Sequence, residues 1–320
     1  MINKSLEKIN ISDIDFSIDD FRFCCGVQPD QLESSIAKYC VLVPPYLYHC
    51  SGNRNFAIVT GFRRLEIAKR LGMVAVNCFV LEKGISHENL FLLALNERIG
   101  KRELNPAEKA ILVGKAVSLF GKGRSIKEIL PLIGLEPSEK ILSQYLAVSK
   151  LSMNILEKLA TGELSIQGAL ELCKIDEKDR AKIVEILVKL GCSASIQKEI
   201  VVYCKEIGAR EKKAPGQIIE EPQVREILDD PELNRREKTN LLRTYLREKR
   251  YPLITKREAE FRKKLSKLSL PSGIRIKPPQ YFEGNRWSIE LVFWSPEELN
   301  KKVSAVERVI KNGSIESLLE

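Results

Sequence analysis

Strand-like and helix-like patterns alternate along the first hundred residues. Residues 56–59 and 74–81 are short runs rich in β-branched and aromatic side chains, which predict strands. Between them, after Gly61, apolar positions recur at helical spacing, and Gly72 stands where that helix would end. Residues 31–38 predict a further helix. The pattern therefore indicates a mixed α/β domain.

From Ser86 onward the pattern is helical. The segment 105–108 (NPAE) has the form of a helix start, with Asn as the N-cap, Pro in the first position and Glu in the third. Ser125 and Glu128 predict a second capping box. Five or more short helices are predicted between about residues 106 and 207.

The end of the chain changes period again. Residues 208–222 are polar and contain Pro and Gly, which predicts a linker. Residues 256–268 predict a basic helix, and residues 273–277 and 287–294 predict two strands. Ser295 caps a final helix, so the predicted order is αββα. A core of this size is often completed by a second copy of the chain.

Together these patterns predict an α+β multidomain protein. We expect an α/β N-terminal domain over residues 1–100 and an all-α domain over residues 101–210. A basic linker or helix is expected over residues 211–254, followed by a small αββα domain over residues 255–320.

Positive charge is concentrated in one stretch of the chain. The 320 residues carry a net charge of +9. Residues 234–267 contain 13 Lys or Arg and 4 Glu, an excess equal to that of the whole chain. Such a stretch is typical of a surface that binds a polyanion, most simply nucleic acid, or of a solvated helix face. Composition alone does not separate the two.

Hydropathy and cysteine usage indicate a cytoplasmic protein. No apolar run approaches the roughly 20 residues of a membrane span, and no secretory leader is recognisable, so no membrane partner is expected. The eight cysteines form no C-x-x-C pair, which predicts reduced, mostly buried thiols. A metal site that uses Cys40, His49 and Cys50 is the less favoured alternative.

A first candidate site is the turn between the strand at 56–59 and the helix after it. It consists of Thr60, Gly61, Phe62, Arg63 and Arg64. Glycine allows close backbone approach, the helix start offers unpaired N–H groups, and arginines suit phosphate oxygens. The turn therefore predicts a phosphate-binding site, with a helix start bearing solvated arginines as the alternative.

A second candidate is the segment 97–108. It places the Glu97 carboxylate and several cations just before a capped helix. These groups could hold a triphosphate and its metal, or they could form a surface cluster of ion pairs.

A third candidate is a helix pair. Residues 125–134 and 137–148 predict two helices joined by a short turn, the spacing of a helix-turn-helix. Pro131 should kink or shorten the first helix. The second helix would present polar residues that can contact bases or phosphates, with Lys150 just beyond it; these are Ser138, Lys140, Ser143 and Gln144.

In this order the blocks resemble the ParB family of bacterial chromosome and plasmid partition proteins. Residues 57–72 (AIVTGFRRLEIAKRLG) are similar to the family's GERR box. Residues 97–108 are similar to its E-N-x-x-R box and the L-N-P-x-E-x-A that follows. Residues 142–146 (LSQYL) with 159–165 (LATGELS) resemble its helix-turn-helix segment, and the terminal αββα order resembles its dimerisation domain.

The resemblance implies a CTP-switched DNA clamp. The N-terminal domain would have the ParB/sulfiredoxin-like fold and bind CTP with Mg²⁺, and the dimer would close around DNA and slide. The helix-turn-helix would bind a palindromic centromere-like site through Ser138, Lys140, Ser143, Gln144 and Lys150. A homodimer, a ParA-type ATPase partner and a nucleoid-associated location are implied as well.

The resemblance also assigns roles at the nucleotide. Glu97 would lie near the metal or the attacking water, as a catalytic and metal-binding group. The nucleotide contacts implied are Thr60, Gly61, Phe62, Arg63, Arg64, Arg98 and Lys101.

This chain departs from the family pattern in the nucleotide region. Arg98 and Lys101 stand in place of the Asn and Arg of the E-N-x-x-R box, and Phe62 replaces the acid of the GERR box. A cation near the metal position would repel Mg²⁺, so CTP hydrolysis is left open. One alternative is a ParB-like DNA-binding regulator with a degenerate nucleotide pocket. A small-molecule kinase or a sulfiredoxin-like enzyme is another, although the turn lacks the cysteine that a sulfiredoxin needs.

Overall fold

The computed structural model describes residues 3–26, 30–50, 56–100, 102–268 and 270–312. Internal contacts divide the chain into two compact units, Met1–Val202 and Tyr203–Glu320. The fold is mixed α/β with mostly helices. No helix in these ranges combines the length and the apolar character needed to cross a membrane.

The first unit opens with a five-stranded sheet, which is followed by helices. The strands are β1 (Lys4–Asn10), β2 (Ile14–Asp15), β3 (Tyr46–His49), β4 (Phe56–Ile58) and β5 (Ala75–Leu81). The helices up to the helix-pair region are α1 (Asp30–Tyr39), α2 (Phe62–Arg70), α3 (His87–Ile99) and α4 (Pro106–Arg124). The strands and helices predicted for this part of the chain are confirmed to within two residues.

The sheet has the order β1-β5-β3-β4-β2. β1 runs antiparallel to β5, β3 runs parallel to β5 and antiparallel to β4, and β2 runs parallel to β4. No sequence pattern predicted β1, because Ile9 is the one buried residue of this strand and the usual alternation is absent. The order places the end of β4, and therefore the Gly61 turn, beside β3.

A single apolar cluster joins the sheet to the first helices. Leu47, Ile58, Leu65 and Phe91 are almost fully buried in it. The cluster continues without a break into the helical residues Leu112, Ile129, Leu130, Ile133 and Leu142. The end of α3 and the start of α4 are thus held firmly against the sheet.

The helix start predicted at residues 105–108 is confirmed as a full capping box. Asn105 Oδ1 accepts the Glu108 backbone N–H at 2.9 Å, and Glu108 Oε2 accepts the Asn105 backbone N–H at 3.2 Å. Pro106 occupies the first position of α4. The cap fixes the direction in which α4 leaves the turn.

The second capping box, predicted at Ser125, is wrong. Ser125 has helical angles, and its hydroxyl donates to the Gly121 carbonyl at 2.7 Å. The chain breaks its helical path four residues earlier, at Gly121, whose φ of 75° suits glycine. A π turn follows over Ser125–Ile129, then a short α5 (Leu130–Leu132) that contains Pro131. The helix that contains Pro131 is thus short and irregular, as expected from a proline at this position.

The remaining helices of the first unit follow in short steps. They are α6 (Glu139–Val148), α7 (Met153–Ala160), α8 (Ile166–Leu172), α9 (Glu177–Leu190) and the start of α10 (Ala194–Glu211). Ser138 caps α6, and Gly191 ends α9 in the left-handed conformation that glycine favours.

In the second unit, residues 208–222 are mostly helical where a linker was predicted. α10 continues to Glu211, α11 (Pro215–Ile219) buries Ile218 and Ile219, and α12 (Pro222–Asp229) follows. Gly208 is buried with the Lys213 carbonyl so close that an added Cβ would lie 2.7 Å from its oxygen. The Pro and Gly of this segment therefore serve tight packing between helices.

The basic stretch forms two helices, and the αββα order closes the chain. α13 (Arg235–Arg250) and α14 (Pro252–Ser266) precede β6 (Ile274–Lys277), β7 (Ser288–Leu291) and α15 (Pro296–Lys311). β6 and β7 pair antiparallel. β7 is shorter than the predicted strand over 287–294. Lys302 is buried and donates to the Val292 carbonyl, which ties α15 to the end of β7.

Candidate functional site

The Gly61 turn, the end of α3 and the loop before α1 enclose a cavity of about 260 Å³. The cavity therefore brings together two of the candidate segments from the sequence, the turn at residues 60–64 and the start of the segment 97–108. Seven of the eight predicted nucleotide-binding and catalytic residues line the cavity: Thr60, Gly61, Phe62, Arg63, Arg64, Glu97 and Arg98. The eighth, Lys101, lies outside the described residues.

Gly61 allows the backbone to turn sharply into α2. Its φ is +86°, a region that favours glycine. A Cβ on this residue would lie 2.8 Å from Pro45 Cβ and 3.0 Å from Arg64 Nη2. Thr60 Oγ1 accepts the Tyr46 backbone N–H at 3.2 Å, which anchors the turn to β3. The turn is therefore a cradle that a larger residue would fill.

The two arginines of the turn differ in their partners. Arg63 Nη2 donates to the backbone carbonyls of Cys25 at 3.3 Å and Gly26 at 3.1 Å. Arg64 is 13% exposed, donates to the Val43 carbonyl and pairs with Glu97 at 3.4 Å. Burial lowers the pKa of the Arg64 guanidinium, and the Glu97 carboxylate partly offsets this. Arg63 is thus the more readily redirected towards an anion.

Arg98 points to a carboxylate that sequence reasoning treated only as a helix cap. Arg98 Nη2 pairs with Glu108 Oε1, and Arg102 Nη2 reaches the same oxygen at 2.8 Å. The Glu108 side chain is 0% exposed. The Cys25 backbone N–H also donates to Glu108 Oε1, at 3.5 Å. A capping glutamate within ten residues of two arginines is the sequence signal that could have predicted this cluster.

Phe62 forms an apolar wall of the cavity. Its ring is buried, and the Arg22 guanidinium lies 5.9 Å from the ring centroid. Arg22 also pairs with Glu66 at 2.6 Å. An acid at position 62 would lie beside the Arg22–Glu66 ion pair, whereas the phenyl ring of Phe62 packs against the Arg22 guanidinium.

The cavity suits an anion better than a divalent metal ion. Mg²⁺ prefers several oxygen ligands at near-octahedral geometry. Glu97 is the one carboxylate among the described cavity residues, and it is paired with Arg64. Across the described ranges no three Asp, Glu, His or Cys side chains group so as to hold a metal, which includes Cys40, His49 and Cys50. The metal role assigned to Glu97 is therefore not supported by its donor set.

The helix pair places its candidate residues on α6. Leu142 and Val148 are buried, and Ile129, Leu130 and Ile133 of the preceding segment belong to the same apolar cluster as Leu142. The Ser138 hydroxyl accepts the Ile141 N–H at 3.3 Å as the cap of α6. Lys140 and Ser143 are exposed, Gln144 is half-buried, and Lys150 is exposed just past the helix. None of the five lines the cavity.

The basic stretch is partly neutralised within the second unit. Arg247 pairs with Glu258 at 2.6 Å, Arg250 with Glu206 at 2.6 Å, and Lys249 with Glu221. The Arg247 guanidinium, which hydrogen-bonds to the Glu258 carboxylate, lowers the pKa of that group. Seven cations of the stretch remain exposed: Arg235, Arg236, Lys256, Arg257, Arg262, Lys263 and Lys267.

The αββα segment exposes large apolar side chains. Trp294 is 89% exposed, and Phe293, Val292 and Ile289 beside it are also exposed. Val303 and Ile310 are exposed on α15. Several exposed large apolar side chains in one small segment are typical of an interaction surface.

Comparison with known proteins gives related partition proteins. No family model matches the chain. The probable chromosome-partitioning protein ParB of Campylobacter jejuni is 27% identical over 159 residues, which is 50% of this chain and 54% of that protein. The chain thus spans about half the length of this curated relative.

The solved structures to which the chain is similar include ParB proteins. C-terminally truncated ParB of Caulobacter crescentus, complexed with the centromeric parS site, is 19% identical with a TM-score of 0.34 over 61% of this chain and 98% of that one. The same protein complexed with CTP-γ-S has 19% identity and a TM-score of 0.27 over 57% and 99%. A pNOB8-like ParB N-domain has 14% identity and a TM-score of 0.37 over 78% and 96%.

Proposed function

The chain is a relative of the ParB chromosome-partitioning proteins, and from that premise we propose that it is a DNA-binding partition protein whose N-terminal cavity binds CTP. The observation that carries the proposal is the cavity beside Gly61, which Arg63, Arg64 and Arg98 line together with a glycine cradle. Such a cradle fits a polyphosphate, because backbone and guanidinium N–H groups can surround its oxygens.

In the proposed site this chain's residues bind and orient the nucleotide. Arg63 would leave the Cys25 and Gly26 carbonyls to meet a phosphate. Arg64, fixed by Val43 and Glu97, would form the opposite wall, while Phe62 would exclude water. Glu97 would lie beside the terminal phosphate, as the catalytic group that the resemblance implies.

The DNA-binding part of the proposal rests on α6. Ser143, Gln144 and Lys140 lie on the accessible side of α6, whose other side is buried against α4 and the segment that precedes α6. This is the arrangement in which a recognition helix enters the major groove. Ser138 and Lys150, at either end of α6, would contact phosphates. The exposed cations of residues 234–267 would add contacts that do not depend on sequence.

The remaining parts of the proposal concern assembly. We propose a homodimer joined through the αββα segment, because Trp294 and Phe293 leave an apolar surface that a second copy would cover. Closure into a CTP-switched sliding clamp on nucleoid DNA and a ParA-type ATPase partner rest on the family relationship, and the four-part division at residues 100, 210 and 254 rests on the sequence pattern.

The test is a calorimetric titration of the full chain with CTP, ATP, GTP and UTP. Selective CTP binding is expected, and Arg63→Ala should weaken it at least about tenfold, the effect of losing a hydrogen bond to a charged group. Arg70→Ala is the matched control, because Arg70 lies at the other end of α2, pairs with Glu33 and does not line the cavity. Duplex binding with no CTP binding at millimolar concentration would instead identify a DNA-binding regulator.

A further inference from the structure

The cavity beside Gly61 carries more positive charge than its acids balance. Arg63 hydrogen-bonds to backbone carbonyls and, among the described residues, pairs with no carboxylate. The charge of Arg64 is balanced by Glu97. Arg98 shares Glu108 with Arg102, so two guanidinium groups meet one carboxylate. Both the turn and the end of α3 therefore retain an uncompensated positive charge.

Arg98 also has an unused hydrogen-bond donor. Its Nε is buried and donates no hydrogen bond within the described parts of the chain, although Nη2 is held by Glu108. A buried N–H group without an acceptor is costly. Because Arg98 lines the cavity, an anionic oxygen bound in the cavity could accept the hydrogen bond of Arg98 Nε.

The same guanidinium opposes a divalent ion. Glu97, the neighbour of Arg98 in α3, is already paired with Arg64. A metal ion at Glu97 would have to displace Arg64 and then sit beside the positive charge of Arg98, which repels it. No second carboxylate lines the described part of the cavity to compensate.

We infer that Arg98 takes over the charge-neutralising role that the family resemblance gives to Mg²⁺, so that this chain binds a triphosphate without a divalent metal ion. The inference rests on the proposed nucleotide site and specifies that its ligand is a triphosphate without a bound metal ion. Glu108 holds Arg98 in place through one Nη group and leaves Nε for the ligand.

The test compares affinity for CTP in excess EDTA with affinity in excess Mg²⁺, on the full chain, with inorganic triphosphate as a second probe. Wild type should bind equally, within about threefold, in both conditions. Arg98→Asn should lose at least about tenfold in EDTA, as expected for one hydrogen bond to a charged group. Mg²⁺ should restore part of that loss, because the variant lacks the repelling charge.

Arg102→Asn is the matched control. Arg102 shares the Glu108 carboxylate but does not line the cavity, and its side chain is 43% exposed against 19% for Arg98. The affinity of Arg102→Asn for CTP should equal that of wild type in excess EDTA and in excess Mg²⁺. A tenfold loss in this variant as well would show that the ion-pair cluster, not Arg98 itself, supports binding, and would overturn the inference.

The outcomes separate this inference from the proposed function. CTP binding by wild type that disappears in EDTA overturns the inference and leaves the proposed function standing. Binding of inorganic triphosphate in EDTA that is lost in Arg98→Asn, without CTP selectivity, supports the inference and contradicts the cytidine part of the function. Absence of binding to either probe in both conditions overturns both.

Discussion

Replacing Glu108 by Gln tests the cluster that holds the end of α3 to the start of α4. The carboxylate is 0% exposed and accepts hydrogen bonds from Arg98, Arg102 and two backbone N–H groups. Gln has nearly the same shape and can still serve as the third residue of a capping box. The substitution therefore removes the charge while it keeps most of the packing and the cap.

The expected loss of stability follows from the burial of that charge. Breaking a buried ion pair and leaving its partner uncompensated costs about 3–5 kcal/mol. Arg98 and Arg102 are 19% and 43% exposed, so water can partly solvate them and reduce the cost. We expect Glu108→Gln to lower the free energy of unfolding of the first unit by about 2–3 kcal/mol.

The assay uses the uneven distribution of tryptophan. The two tryptophans, Trp287 and Trp294, both lie in the second unit, so their fluorescence follows that unit, while far-UV circular dichroism follows the whole chain. In urea, Glu108→Gln should shift the dichroism transition of the first unit and leave the tryptophan transition in place.

The control for the buried charge is an exposed one. Glu128→Gln removes a partner of Arg124 in an exposed pair, and its effect should stay within about 0.5 kcal/mol. A loss below about 1 kcal/mol for Glu108→Gln would refute the reasoning, because the cluster would then resemble a surface ion pair.

Two further substitutions test the turn and α6. Gly61→Ala should destabilise the first unit in urea by about 2 kcal/mol and abolish CTP binding, because it adds a steric clash to the cost of a left-handed alanine. The control is Gly84→Ala, which has a φ of +88° and open space around it and should show the conformational cost alone. Equal losses of stability in the two variants would contradict the cradle at Gly61. Joint replacement of Ser143 and Gln144 by Ala should weaken binding to a duplex selected from random sequence about tenfold or more, as measured by fluorescence anisotropy, while nonspecific binding and its salt dependence stay unchanged. Gln167→Ala, on another helix, should leave both kinds of binding as in wild type.

Local signals in the sequence predicted much of the fold. The β4–Gly61–α2 turn and the capping box at Asn105 depend on residues within a few positions of one another, and both occur as predicted. The cap predicted at Ser125 fails although its residue types are correct, because the helical path was already established after Gly121. A capping motif carries no information about whether the chain before it is already helical.

Features that depend on distant partners could not be predicted in this way. β1 is a strand because β5 lies beside it, with Leu6 opposite Phe79, and its own pattern of mostly exposed residues gives no sign of this. The predicted linker at 208–222 contains turn-forming residues, but their role depends on the packing around Gly208. Sequence patterns report the preferences of a segment, whereas these features depend on a neighbour that folding supplies.

The candidate site shows the same limit in its chemistry. From the sequence, Arg98 was a cation placed where the family resemblance expects a metal ion, which predicted interference. In the folded chain, Glu108 sits ten positions further on and binds that cation, while the Cys25 carbonyl links Arg63 to Asn105 of the same cap. A ligand that draws Arg63 towards the cavity would remove one of the two side-chain donors to the Cys25 carbonyl and leave Asn105 as the other. The residues that would hold the phosphates and the cap that starts α4 thus share two partners, the Cys25 carbonyl and the Glu108 carboxylate.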